Sequence, residues 1–585
     1  MTTFHIEKIN DIFKLPISYN KDKMELNSNI ITDLELIETI DPSGTSIYQY
    51  TFQPSTQFGM EVIKQLPKIY TTDTTYLKDS QSLLKKYKGL KNSDSDSDTD
   101  TNVNHDEILE IWNDVKNDNG FKERYQYIDW PQWEFLNNNE FFLQILSIYS
   151  MASPVISLLV PFIILIIPFF VIQMKGISIS ITEYINILKV VASNHAIGKL
   201  FTQFNSVKMN EKIYLLVSAA FYLFSIYQNI LTCIRFNDNM KEIHDYLNKI
   251  KRYISYTERN SSNFLKYSSE LSSYSTFNQT LIENTIILKQ YRQKLESIQP
   301  YKLSIKKVTQ LGHILKCFYE LHDNKEYNDA FMYSFGFNGY INNLDGLSDN
   351  ISKMYINFCK LKNSKKNKKH STIFSNFYYP AHIKTDSIKN NIKINKNIIV
   401  TGPNASGKTT ILKSSLINVI LTQQFGCGFF SSATITPYKY IHCYLNIPDT
   451  SGRDSLFQAE ARRCKEIIDI VHENPKSEHF CVFDELYSGT NPDEAVSSAS
   501  AFMLYLAKYK NVNCILTTHF FKLCKHLNNN DKFKNVHMET LCIDENTKNF
   551  NYTYLLKNGI SNVRGGIKVL KDMNYPQEII DNSIA

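Results

Sequence analysis

Cysteine is absent from the first 232 residues of this 585-residue chain, and the ten that follow from Cys233 include no Cys-x-x-Cys pair and no Cys/His cluster. That excludes a disulfide framework and a zinc site, and the cysteines read as free thiols in a reducing compartment. The first residues, MTTFHIEKINDIFKLPIS, lack the continuous apolar core of a signal peptide, so secretion by cleavage is not expected. A strong charge of either sign is also missing. Lys and Arg number 64 against 58 Asp and Glu, a net +6, which permits contact with phosphate or anionic lipid without demanding it. Glycine is scarce, at 19 residues, so a short segment that uses two of them within six positions stands out. What is abundant is apolar and aromatic material, 43% and 13%, enough to bury sizeable cores across three or four structural units.

Composition shifts divide the chain. Residues 1–90 form an N-terminal unit of unassigned role, and 91–105 an acidic linker around SDSDSDTDTN (Ser93–Asn102), which has nothing to bury and reads as solvated. Residues 106–140 carry all three tryptophans, Trp112, Trp130 and Trp133. Two charge-free stretches follow, Phe141–Met174 and Ile213–Ile234, each long enough for the roughly 20 residues that cross a bilayer. Residues 141–235 are therefore expected to form a transmembrane helical hairpin with spans at about 152–174 and 213–234. Pro154, Pro161 and Pro168 recur every seven residues in the first span, which also allows a kinked or re-entrant segment. A buried helical pair in a soluble core is the alternative, and lysine counts on the two sides leave orientation open. Residues 236–370 are polar with helical periodicity and read as a bundle or lever, closed by the basic tract SKKNKKH (Ser364–His370).

Residues 371–585 carry the chemistry. The alternating stretch Ile392–Val400 predicts a strand, and it leads into Thr401-Gly402-Pro403-Asn404-Ala405-Ser406-Gly407-Lys408-Thr409-Thr410, followed by a helical run. This strand, glycine loop and helix fit G-x-x-x-x-G-K-[ST], in which backbone N–H groups and the helix N-terminus face phosphate oxygens. In that reading Gly402 to Thr410 bind nucleotide, Lys408 reaches the β- and γ-phosphates, and the Thr409 hydroxyl ligates magnesium. A second apolar strand, His479–Phe483, ends in Asp484-Glu485, placing Asp484 to hold magnesium and Glu485 to act as general base on water. A third, Val512–Leu516, leads to Thr517-Thr518-His519, where His519 can sense the γ-phosphate.

These residues resemble the ATPase domain of the MutS mismatch-repair family, within the ABC-type P-loop ATPases. The loop TGPNASGKTT is similar to that family's TGPN-x-x-GK-[ST]-T, Asn404 included, and Asp484–Thr490 is similar to D-E-x-x-x-G-T. Thr518-His519-Phe520 with Leu523 is similar to T-H-[YF]-x-x-L, and Gly559–Ile567 to G-x-[SA]-x-x-S-[YF]-G-I, with Arg564 and Gly565 as departures. Ser455-Leu456-Phe457-Gln458-Ala459-Glu460 resembles the signature S-[TY]-F-x-x-E, with Leu456 as a departure, and the transporter signature L-S-G-G-Q is absent.

The resemblance implies an α/β P-loop ABC-type ATPase domain, a mixed sheet with flanking helices, preceded by the helical lever and the membrane hairpin. It implies ATP and Mg²⁺ as cofactors and Ser455 reaching the γ-phosphate on an opposite subunit, hence a homodimer or a heterodimer with a similar chain. It implies coupling of ATP hydrolysis to double-stranded DNA, mismatched or branched. Upstream the likeness fades: Phe335–Asp345 is faintly similar to the family's connector, and Phe318-Tyr319-Glu320 matches a base-stacking F-x-E only as a helix-face coincidence. The apolar spans suggest the membrane-associated branch, with the ATPase domain in the cytosol and a nuclear or viral-factory location left open. The alternative is a membrane-anchored switch acting on a protein partner without mismatch recognition. Tyr378 and Tyr379 are placed either to stack on adenine or to pack in the core.

Overall fold

The computed structural model describes residues 6–87, 103–116, 120–176, 179–194, 199, 204, 206, 208–298, 308–362, 372–383, 385, 387–445, 455–544, 549–561, 563 and 565–584. The acidic run Ser93–Asn102, the basic tract Ser364–His370, and Asp454, Asn562 and Arg564 lie outside them. Two compact units are present, one built from residues 1–5, 100–256 and 286–330, the other from 6–99, 257–285 and 331–585.

The first unit is helical. Helices His105–Val115, Glu140–Met174 and Leu311–Asp323 contribute to it, and Gly312 lets the last lie against the start of the second, since a Cβ there would meet the Glu140 carbonyl at 2.3 Å. Trp112 is fully buried, whereas Trp130 and Trp133 are exposed. Phe318 is fully buried, its ring 5.2 Å from that of Phe121 and 4.9 Å from that of Tyr125, so it packs the core and offers no face to a base. The helix Glu140–Met174 runs through all three prolines, and the apolar stretch Ile213–Ile234 lies in the helix Met209–Ser268. The two are antiparallel neighbours: Tyr222 donates to the Ser157 carbonyl at 3.1 Å and Cys233 to that of Met151 at 3.5 Å. Both are long and apolar enough to cross a membrane, and Leu158, Ile167, Phe170, Phe221 and Leu223 among others are more than half exposed or nearly so.

The second unit holds the strands, β1 (Lys23–Glu25), β2 (Ile69–Thr71), β3 (Asn357–Leu361), β4 (Thr372–Phe377), β5 (Asn390–Ile394), β6 (Asn397–Thr401), β7 (Cys427–Gly428), β8 (Ser432–Ile435), β9 (Tyr440–Tyr444), β10 (His479–Asp484), β11 (Val512–Thr518), β12 (Phe533–Asp544) and β13 (Asn549–Asn558). A six-stranded sheet has the order β13-β12-β6-β11-β10-β9, parallel except for the β12/β13 hairpin. A five-stranded sheet has the order β5-β4-β8-β3-β7. The stretch Ile392–Val400, read from sequence as one strand, bends at Asn395-Lys396 and divides between the sheets as β5 and β6. β5 alternates buried and exposed as a one-faced strand does, while β6 is buried throughout, as a central parallel strand must be.

The helix Lys408–Phe425 follows β6 and is buried almost all round, because residues 6–87 cover the side turned away from the sheet. Glutamines on both sides hold that cover in place. Gln424 Nε2 donates to the Leu66 and Ile69 carbonyls at 2.9 Å each, and Gln81 Nε2 donates to the Gly426 carbonyl at 2.7 Å. Residues 331–352 of the helix Lys325–Ser352 supply a second wall made of small and amide side chains. Asn343 Nδ2 donates to the Gly59 carbonyl at 3.0 Å and Asn350 Nδ2 to that of Thr51 at 2.9 Å. Gly339 and Gly346 leave no room for a side chain, a Cβ falling 2.4 Å from the Phe58 carbonyl and 1.8 Å from that of Phe52.

Gly→Ala in an open helix stabilises by roughly 1 kcal/mol. Here Gly346→Ala is expected to destabilise by about 1–3 kcal/mol, because the obstructing atom is backbone and cannot move aside. Urea unfolding of the two proteins checks the sign.

Candidate functional site

Pairing register decides what meets at the carboxyl edge of the six-stranded sheet. In β6/β11 Thr401 pairs with Thr518, and in β10/β11 Asp484 pairs with Thr517, so the next residues of the three strands, Gly402, Glu485 and His519, emerge side by side. The loop 402–407 then turns into the N-terminus of the helix Lys408–Phe425. Gly407 has φ +91°, and a Cβ there would approach Tyr554 to 3.2 Å. At Gly402 a Cβ would meet Ser406 Oγ at 2.7 Å. Ser406 Oγ donates to the Pro403 carbonyl at 2.7 Å, which keeps the loop curled, and the Tyr552 hydroxyl donates to the Asn404 carbonyl at 3.1 Å.

Lys408 is buried, and its Nζ donates to the carbonyls of Gly402 at 3.0 Å and Pro403 at 3.2 Å, with Glu485 Oε1 at 3.8 Å. Burial pulls its pKa below the usual lysine value, against the pull of Glu485 and Asp484. Thr409 Oγ1 donates to Asp484 Oδ2 at 2.8 Å, and Thr517 Oγ1 donates to the other carboxylate oxygen. Glu485 takes a left-handed φ of +51°, a strained choice for a non-glycine residue that aims its carboxylate at both Lys408 and His519 Nδ1, the latter at 3.3 Å. The His519 hydrogen bond is the largest cause holding the Glu485 carboxyl below its ordinary pKa.

A cleft of about 750 Å³ opens beside these groups. Asn404, Ala405, Gly407, Lys408, Thr409, Thr410, Asp484 and Glu485 line it, as do Tyr378, Tyr379, His382, Ile388, Met538 and Tyr554. Tyr378 is buried, with its hydroxyl donating to the Tyr355 carbonyl at 2.7 Å and its ring edge-on to Phe429, so its polar end is committed to packing. Tyr379 is half-buried, burial pushing its pKa up to about 12. Sequence reading missed His382, Ile388, Met538 and Tyr554, which belong to no motif and reach the cleft only through the β4–β5 connection and the β12/β13 hairpin.

Thr409 and Asp484 offer adjacent oxygen donors, which suit a hard divalent cation. Among the described residues no group of three or more His, Cys, Asp or Glu side chains could hold a metal ion. Ser455 lies outside the cleft. Its side chain caps the helix Leu456–Glu473, accepting from Gln458 N at 3.3 Å while Gln458 Oε1 accepts from Ser455 N at 3.0 Å. From the element Gly559–Ile567, Ser561 N donates to Thr401 Oγ1 at 3.0 Å, and Gly565 packs on the loop, where a Cβ would meet Pro403 Cβ at 2.4 Å. Glycine at 565 therefore answers a contact with Pro403.

Fold and site together define a mixed α/β domain that gathers a glycine loop, an acidic strand end and a histidine at the carboxyl ends of parallel strands. Residues 398–585 match the family model described as MutS domain V. The DNA mismatch repair protein MutS of Persephonella marina is 29% identical over 209 residues, 35% of this chain and 23% of that protein. The DNA mismatch repair protein MSH6 of Saccharomyces cerevisiae is 29% identical over 205 residues, 34% of this chain and 16% of its own. Endonuclease MutS2 of Lactobacillus acidophilus is 26% identical over 231 residues, 38% and 28% respectively. The likeness to the MutS family is carried by this C-terminal domain, residues 398–585. It spans less than a third of the length of each of these relatives.

Because Glu485 has a depressed pKa in the folded protein, its contribution to stability is present above the usual carboxylate range and is lost as pH falls through that lowered value. His519→Ala removes the main cause, so the variant is expected to be less stable than wild type above the carboxylate range and to lose less stability on acidification, the difference between the two shrinking as pH falls. Thermal midpoints measured across an acid pH series check this.

Proposed function

We propose that the chain is an ATP-binding and ATP-hydrolysing protein that works as a dimer and couples nucleotide state to DNA, mismatched or branched. The observation that carries this reading is the convergence of Lys408, Thr409, Asp484, Glu485 and His519 on one sheet edge beside the cleft. The loop N–H groups and Lys408 bind the polyphosphate, and Lys408 leaves its carbonyl partners to do so. Thr409 and Asp484 would hold Mg²⁺, which when bound neutralises phosphate charge. Glu485 accepts the proton of the attacking water, and His519, 3.3 Å away, orients that carboxylate. Tyr379, half-buried in the cleft wall, is the better candidate of the two tyrosines for stacking on adenine. Ser455 reaches a nucleotide held by the other subunit. The names of the MutS and MSH6 relatives support DNA as the load.

A second reading, a membrane-anchored switch acting on a protein partner, draws support from the exposed apolar surface of the helices Glu140–Met174 and Met209–Ser268. In it the ATPase domain faces the cytosol. Retention of the full chain in the membrane fraction after alkaline carbonate washing is its expected signature, and full release rejects the anchor.

Lys408→Ala is expected to lose nucleotide binding, while Glu485→Gln binds ATP and turns it over at least about a hundredfold more slowly. Wild-type turnover by either would reject the nucleotide site. The load is tested by equilibrium binding of Glu485→Gln, with ATP and Mg²⁺, to perfect, mismatched and four-way-junction DNA over a salt series. Preference among the three supports DNA sensing. Weak, equal and salt-labile binding supports the protein partner.

A further inference from the structure

Glu460 is a carboxylate buried to 2% exposure on the helix Leu456–Glu473, one turn beyond Ser455. A buried charge of this kind requires partners; the Tyr444 hydroxyl at the end of β9 is one, and the others seen come from the loop after β10. Ser488 N donates to Oε1 at 3.1 Å, Ser488 Oγ to the same oxygen at 3.2 Å, and Gly489 N to Oε2 at 3.3 Å. Two further contacts join the same elements. The Phe457 and Tyr487 rings are 5.6 Å apart, and Gly489 lies so close to the helix that a Cβ would meet Leu456 Cγ at 2.6 Å. The loop needs such a clamp, because Glu485 and Tyr487 both hold left-handed φ angles, +51° and +58°.

We propose that Glu460 is a positioning residue: its carboxylate ties the N-terminal part of the Ser455 helix to the Glu485 loop, so that engagement of the exposed Ser455 end sets the aim of Glu485. The proposal rests on the nucleotide site described above and adds a route by which contact at one site gates hydrolysis at the chain's own site. Ser455 needs no place in the cleft for this, since only Leu486 and Tyr487 separate Glu485 from the Glu460-bound Ser488. Gly489 is then required for the close approach to Leu456.

The test compares wild type, Glu460→Gln and Glu485→Gln in steady-state ATP turnover, binding of a fluorescent ATP analogue, and thermal unfolding. Glu460→Gln turns one acceptor into an N–H donor facing the loop N–H groups. It is expected to lower kcat at least about tenfold while nucleotide affinity stays within about threefold of wild type. Turnover at the wild-type kcat by a folded, nucleotide-binding Glu460→Gln overturns the proposal and leaves the nucleotide site intact. Absence of wild-type turnover, or its persistence in Glu485→Gln, overturns the site itself. Should Glu460→Gln not fold, Gly489→Ala takes its place. Its expected loss of kcat is restored by adding Leu456→Ala, which clears the space, and a loss that Leu456→Ala leaves unchanged counts against the coupling.

Discussion

Parallel register among β6, β10 and β11 is the constraint on which the site depends. Main-chain pairing sets Thr401 beside Thr518 and Asp484 beside Thr517, and only then do a loop, a carboxylate pair and a histidine from positions 402, 484, 485 and 519 share one edge. A slip by one residue in either pairing would turn Asp484 to the opposite face of the sheet. The hydroxyls of Thr409 and Thr517 lock that arrangement by donating to the two oxygens of the same carboxylate. Left-handed backbone recurs along this edge, at Ala405, Gly407, Glu485 and Tyr487.

That edge in turn needs a rigid helix behind it. The helix Lys408–Phe425 carries the loop at its N-terminus and is held from outside by residues 6–87, whose main-chain carbonyls accept from Gln424 and whose Gln81 donates to Gly426. Polar side chains on a fully buried helix are stable only when such partners exist. The N-terminal segment thus serves as packing for the helix that presents Lys408 and Thr409. Gly339 and Gly346 of the helix Lys325–Ser352 in turn receive that segment, admitting its backbone at Phe58 and Phe52 where any side chain would obstruct it.

Legibility from sequence followed the range of the interactions. The loop 402–410, the acidic strand end and His519 were readable because each is a short contiguous pattern whose residue types suit one chemistry. Tyr554, Met538 and His382 were not, since they line the cleft from separate strands and connections. Glu460 was visible only as the last letter of a signature, with no indication that its partners are Ser488 and Gly489. The Ile392–Val400 stretch shows the complementary error: alternation suggested one strand, while the bend at Asn395-Lys396 sent its halves to different sheets.

Sequence by itself therefore determined the chemistry available: a lysine and a threonine after a glycine loop, two adjacent acids after an apolar strand, and two apolar stretches long enough for a bilayer. These properties reside in consecutive residues, and consecutive residues carry them whatever surrounds the segment. Tertiary structure alone decided which of those groups meet, that residues 6–87 cover the helix behind the loop, and that the Ser455 helix is joined to the Glu485 loop through one buried carboxylate. Each of these is a pairing between residues tens to hundreds of positions apart, set by sheet register and close packing rather than by any local pattern.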